Sequence, residues 1–151
     1  MRRVVVTGMG MVSPLGVGVD HNWSEITNGK SGIRKIEHFD VSDISSQIAG
    51  IIPRGDEAGS YNPDNFLEPK EQRKVDEFIV YGIAAAKEAI EDAGWTPSDE
   101  EAQNRTGVLI GSGIGGLDTI YQTSTLMNEK GPRRVSPFFV PAALINLVSG
   151  H

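Results

Sequence analysis

An α/β domain is the fold class that this sequence predicts, and three observations carry it. The runs Val4-Val5-Val6-Thr7 and Gly107-Val108-Leu109-Ile110-Gly111 are apolar, rich in β-branched residues and closed by glycine, the pattern of short buried strands entering tight turns. Between them, Val75, Phe78, Ile79, Ile83, Ala86, Ile90 and Ala93 recur at the 3.6-residue helical period. Glycine is abundant, 18 of 151 residues, as suits a chain with many tight turns or close backbone approaches.

Taken in order, the first strand at 4–7 runs into the loop Gly8-Met9-Gly10-Met11-Val12-Ser13-Pro14-Leu15-Gly16. Asp20 is the expected N-cap of a short helix through Trp23 and Ile26, stopped by Asn28-Gly29. Residues 30–69 are rich in Gly, Pro, Ser and Asp and lack a sustained period. They read as a loop-rich insertion or cap, with one strand at Ser46–Ile52 ended by Pro53. The strongest helix spans Pro69 to Ala93, with Gly94 as its stop. The second strand at 107–111 follows, then a helix from Leu117 to Met127 broken by Gly131-Pro132. A last helix is expected over Pro141–Val148, with Pro in its first turn. It carries no stop signal before His151, so the chain reads as the opening part of something longer.

Composition narrows the function classes. Hydrophobic residues at 38% and charged residues at 23% fit a globular core and argue against disorder. With no cysteine, these residues offer no disulfide, thiolate metal site or cysteine nucleophile. Lys and Arg number 14 against 20 Asp and Glu, for a net charge of −6, which disfavours general nucleic-acid binding. No run reaches the ~18 apolar residues of a membrane helix. The apolar run after Arg2-Arg3 meets Thr7-Gly8 before a secretory h-region of ~7–15 residues can form. A cytoplasmic protein is expected.

Gly111-Ser112-Gly113-Ile114-Gly115-Gly116 satisfies the G-x-G-x-x-G dinucleotide pattern. The acidic residue that should end a further strand ~20 residues on is missing, since Met127-Asn128-Glu129-Lys130-Gly131-Pro132 offers no strand to carry Glu129. A close backbone turn beside a pocket is the better reading, with Ile114 as its one bulky side chain. His38 lacks metal-ligand spacing, and His21, at a helix start, is expected in solvent. Ser13, Ser112 and Ser149 lack a nucleophile-elbow context. Lys70, Arg73 and Lys74 cluster at the expected start of the long helix, where the macrodipole disfavours positive charge. Arg133 and Arg134 form a second cluster. In an acidic chain these two patches read either as docking sites for an acidic partner or as solvated charge. Phe138 and Phe139 lie in a Pro-bracketed apolar stretch that serves either core packing or a pocket wall.

From Val4-Val5-Val6-Thr7-Gly8-Met9-Gly10 to Leu15-Gly16 the chain resembles the opening of a β-ketoacyl-acyl carrier protein synthase. The blocks Lys70-Glu71-Gln72-Arg73-Lys74-Val75-Asp76, Gly111–Gly116 and Gly131-Pro132-Arg133-Arg134-Val135-Ser136-Pro137-Phe138-Phe139-Val140-Pro141 continue the match in order. Ile114 and the Phe138-Phe139 pair most resemble the type II elongating members of bacterial fatty-acid synthesis.

The resemblance implies a thiolase-like αβαβα layered fold, of which these residues form the opening part of the first half, and a homodimer. It implies transfer of an acyl group from acyl carrier protein to a Cys thiolate. Malonyl carrier protein then decarboxylates, and its carbanion attacks the thioester to give a β-ketoacyl product. No metal, nicotinamide or other cofactor is required. The family's Cys nucleophile, two His and a Lys lie beyond the position of His151, itself matched to a non-catalytic position. No catalytic residue is therefore expected here, and this segment alone should be inactive and poorly folded. Lys70, Arg73, Lys74, Arg133 and Arg134 match positions of the positive surface that meets the acidic carrier protein. Ile114 and Phe139, with Phe138, are expected to bound the acyl-chain pocket across the dimer interface. Two other readings stand beside this one: a non-catalytic ketosynthase-like partner such as a chain-length factor, and a Rossmann-type oxidoreductase.

Overall fold

Backbone groups that lack a ladder partner must find a side chain or water instead, and this rule shapes the chain more than strand propensity does. The computed structural model describes residues 2–151. Its elements, in order, are β1 (Val12–Ser13), β2 (Gly16–Val17), α1 (Val19–Thr27), β3 (Ile33–Lys35), β4 (Ile48–Gly50), α2 (Pro69–Gln72), α3 (Glu77–Ala93), α4 (Glu100–Asn104), α5 (Leu117–Lys130), α6 (Phe139–Ala143) and α7 (Leu147–Gly150). Single 3₁₀ turns lie at Pro63–Asn65 and Pro132–Arg134. The chain divides into two packed units, one of residues up to Asn62 with Ala84–Gly94, the other of Pro63–Ile83 with Trp95–His151.

In the first unit β1 and β2 pair antiparallel, Val12 opposite Val17 and Ser13 opposite Gly16. Asn22 of α1 is 1% exposed and polar, so each of its groups needs a partner. Its Oδ1 accepts from the Ser13 hydroxyl, and its Nδ2 donates to the carbonyls of Gly16 at 3.0 Å and Gly18 at 2.7 Å. The helix is thereby pinned to the hairpin. It starts after Gly18 and has no side-chain cap, so Asp20 lies inside the first turn instead of capping it. The Val19 amide is taken by Glu88 Oε1 at 2.7 Å. His21 is half-buried, its Nε2 3.1 Å from the Leu15 carbonyl oxygen; the expected solvated histidine is a packed one.

Glu88 and Asp92 are four residues apart and share one face of α3. Glu88 Oε2 accepts the Met11 amide at 2.8 Å, and Asp92 Oδ2 accepts the Met9 amide at 2.9 Å. The loop runs so close to the helix that a Cβ at Gly10 would collide with the Ala85 carbonyl oxygen, which explains the glycine there. The second hairpin pairs Ile33 with Gly50, Arg34 with Ala49 and Lys35 with Ile48, a shorter form of the strand expected over 46–52. Ile36, Val41, Tyr61 and Ala84 supply buried apolar side chains to this unit.

In the second unit Ile79, Val80, Ala142 and Val148 are the buried apolar residues. The helix expected over 69–93 is two helices. The Asp76 amide donates to the Ala142 carbonyl at 3.2 Å, outside any helix, and Asp76 Oδ1 accepts from the Phe78 amide at 3.3 Å. Asp76 therefore caps a fresh start at Glu77, an effect that apolar periodicity does not register. Gly94 and Gly131, at φ 61 and 81, follow α3 and α5 as the expected stops. The last helix is also interrupted, since Leu144 turns extended (ψ 128) between α6 and α7.

Neither strand expected at 4–7 or 107–111 forms. Val4 is 94% exposed and Leu109 97%, and neither segment has a ladder partner among the described residues. A β-branched run has the propensity for a strand but cannot supply the neighbour whose hydrogen bonds define one. Among the described residues no helix is long and apolar enough to cross a membrane.

Candidate functional site

Every candidate site residue lies in the second unit. Lys70 is on α2, Arg73 caps its carboxyl end, and Lys74 lies in the link to α3. The cluster thus spans a single-turn helix and the link that precedes α3, and does not lie inside the first turn of a long helix as expected. Arg133 and Arg134 occupy the 3₁₀ turn after α5. The glycine loop leads into α5, and Phe138 caps α6, in which Phe139 is the first residue.

Asp76 ties three of these segments together. Its Oδ2 accepts from the Thr119 amide at 3.1 Å and from the Thr119 hydroxyl at 2.6 Å. The Gly116 amide donates to the Ala143 carbonyl at 3.2 Å, while the Asp76 amide is bound to Ala142. A Cβ at Gly116 would sit 2.8 Å from the Ala143 Cα and 3.0 Å from Asp76 Oδ2, so only glycine lets the loop approach this closely. The G-x-G-x-x-G pattern therefore serves packing against α6. It also lacks the preceding strand that a dinucleotide cradle requires.

Lys74 joins the basic cluster to the aromatic pair. Its Nζ donates to Glu71 Oε1 at 2.6 Å and Oε2 at 2.8 Å, and lies 5.8 Å from the Phe138 ring centroid, within cation–π range. The hydrogen bond from Lys74 holds the Glu71 carboxyl below its ordinary pKa. Lys70, Arg73, Arg133 and Arg134 are exposed. Among the described residues none of these four forms an ion pair, and Lys74 is the candidate cation with a carboxylate partner.

The apolar candidates are less enclosed. Ile114 is 70% exposed and Phe138 43%, while Phe139 is half-buried. The structure brings Phe138 to Lys74 but does not gather Ile114 and Phe139 into a closed pocket among the described residues. Chemically, the arrangement suits electrostatic recognition of an anionic surface, next to apolar side chains that further packing can cover. Sequence reasoning missed Asp76 and Glu71 as organising residues. The i,i+3 spacing of Glu71 and Lys74, and an Asp directly ahead of an apolar-periodic run, were the available signals.

The whole chain, residues 1–151, matches the family model described as beta-ketoacyl synthase, N-terminal domain. The 3-oxoacyl-[acyl-carrier-protein] synthase 2 of Rhizobium meliloti (strain 1021) is 55% identical over 152 residues, covering 100% of this chain and 36% of that protein. The chain thus spans about a third of that relative's length. Among solved structures, the ishigamide ketosynthase/chain length factor superposes with a TM-score of 0.76 at 24% identity, over 97% of this chain and 35% of that one. A second, AntDE:AntF, is a type II PKS acyl-carrier protein in complex with its ketosynthase bound to the hexaketide. It gives a TM-score of 0.71 at 22% identity, over 99% of this chain and 37% of that one. At these identities the two structures establish a shared fold: these residues take the path of the corresponding third of a ketosynthase, a thiolase-like α/β fold.

Proposed function

This chain belongs to the β-ketoacyl synthase N-terminal domain family, and from that premise we propose that it is the opening part of an elongating β-ketoacyl-[acyl carrier protein] synthase, type II. The observation that carries the proposal is the 55% identity to a 3-oxoacyl-[acyl-carrier-protein] synthase 2 along all of this chain. In the proposed reaction, an acyl group passes from carrier-protein thioester to a Cys thiolate, releasing the carrier thiol. Malonyl carrier protein then loses CO₂, and the resulting carbanion attacks the acyl-enzyme thioester. A β-ketoacyl carrier protein leaves and the thiolate is regenerated; atoms and charge balance with one proton consumed overall, taken up by the carrier thiolate released in the first step. The thiolate supplies covalent catalysis, and donors around the thioester stabilise the oxyanion. The thiolate does not lie within these residues, which contain no cysteine.

The roles proposed for this segment are docking and enclosure. Lys70, Arg73, Lys74, Arg133 and Arg134 form the positive surface for acidic acyl carrier protein. Among the described residues none of them but Lys74 has an ion-pair partner, which leaves that charge available. Ile114 and Phe139, with Phe138, bound the acyl chain once a second protomer of a homodimer covers them; the 70% exposure of Ile114 fits a side chain awaiting such a cover. Residues 30–69 are read as a loop-rich insertion or cap of the ketosynthase domain. The expected location is cytoplasmic.

The test is a condensation assay on the full-length protein with acyl and malonyl carrier proteins. Release of CO₂ with a product two carbons longer, and an acyl adduct in the intact mass, support the proposal. An intact protein that forms no acyl adduct is a chain-length-factor-like partner and sinks it.

A further inference from the structure

Among the described residues, Lys74 is the one of the five cations proposed to meet the carrier protein that already holds a carboxylate. Both Glu71 oxygens take its Nζ, at 2.6 and 2.8 Å, and the Phe138 ring lies 5.8 Å away on another side. The two side chains are 32% and 39% exposed, so the pair is partly solvated and open to exchange with another carboxylate. Glu71 and Lys74 stand at i and i+3 across the end of α2, a spacing that brings the two side chains together. A partner carboxylate reaching Lys74 must therefore compete with a carboxylate supplied by the same chain.

We propose that Glu71 is an internal competitor of the docking surface: it occupies Lys74 in the free protein, and a carboxylate of the acidic carrier protein displaces it on binding. This inference rests on the carrier-docking reading above and deepens it. Competition sets a selectivity threshold. A lone anion gains little at Lys74, because it must break a bidentate pair to form one. A partner that engages Lys70, Arg73, Arg133 and Arg134 at the same time is already held nearby, and its carboxylate acts at high effective concentration. The exchange also carries consequences inward, since Lys74 leaves the face of Phe138, the neighbour of Phe139 in the proposed acyl-chain wall. Docking of the carrier thereby loosens one contact of that wall.

The experiment measures binding of acyl carrier protein lacking its phosphopantetheine arm, a probe that presents carboxylates and no prosthetic phosphate, to the full-length synthase by fluorescence anisotropy at low salt. Glu71→Gln keeps the size of the side chain and removes the competing charge. Exposed ion pairs imply a gain of about two- to fivefold in affinity, shrinking as salt rises. In a Lys74→Gln background the same change should have no effect, because the cation being competed for is gone. Equal gains in both backgrounds would show Glu71 to be a simple repulsive charge and overturn the inference, as would no gain beside an intact Lys74. The docking reading itself is read separately: if Arg73→Gln and Arg133→Gln leave the affinity unchanged, that reading fails and the competition falls with it.

Discussion

Asp76 receives both hydrogen bonds that Thr119 can donate, from the backbone amide at 3.1 Å and from the hydroxyl at 2.6 Å, across 43 residues of sequence. The same carboxylate caps α3 through the Phe78 amide. One side chain thus starts a helix and anchors the first turn of another.

Asp76→Ala should therefore be among the more destabilising changes in this unit. Hydrogen bonds to a charged group contribute about 1.5–3 kcal/mol each when a partner is removed, and the lost cap adds about 1 kcal/mol. Thr119→Val removes only the hydroxyl donor and should cost less. Thermal unfolding of the full-length protein checks the ranking; equal midpoints for the two variants would refute it.

Asn22 makes a prediction of a different kind, because its chemistry is directional. Its amide donates to two carbonyls while its oxygen accepts from Ser13. Asn22→Ala leaves buried partners unsatisfied at about 1–3 kcal/mol. Asn22→Asp keeps the shape but sets a carboxylate against two carbonyl oxygens, so it should be no better than alanine. Hydrogen exchange at Val17 and Gly18 should quicken in both variants; a fully stable aspartate variant would contradict the assigned donor roles.

Reversing the docking charge should act on binding more than on chemistry. With Arg73 and Lys74 both changed to Glu in the full-length synthase, the Michaelis constant for acyl carrier protein should rise and its salt dependence flatten. Each exposed contact is individually worth about 0.2–1 kcal/mol, which is why two are reversed together. Unchanged kinetics at low salt would remove these residues from the interface.

Ile114→Phe should shorten the longest acyl chain accepted. Ile114 is 70% exposed in this chain, so a larger side chain meets no clash here, and its cost arises only where a second surface closes the pocket. Overpacking such a filled apolar site costs about 1–3 kcal/mol. Assays with primers of increasing length should show long primers lost and short ones retained; a uniform loss would place the residue in folding instead.

Much of the helical content was legible in the sequence, because a helix satisfies its own backbone within the segment. The 3.6-residue period found α3, and Gly94 and Gly131 marked the ends of α3 and α5. The basic clusters and the aromatic pair were legible as well, since charge and apolar character belong to residue type. Two helices were nonetheless read too long. Asp76 and Leu144 interrupt them through contacts and backbone turns that no periodic count contains.

Alone, the sequence determined which residues are charged, which stretches can be helical, and that no cysteine nucleophile lies among these 151 residues. Those are properties of single residues or of neighbours within one or two turns. Tertiary structure decided the rest: that Val4–Val6 and 107–111 are not strands here, that Asp76 reaches Thr119, and that Lys74 lies between Glu71 and Phe138. Each of those outcomes depends on a partner, near or distant in the chain, occupying a particular place. A strand without a neighbour has no ladder, and a cation's availability depends on which carboxylate reaches it first.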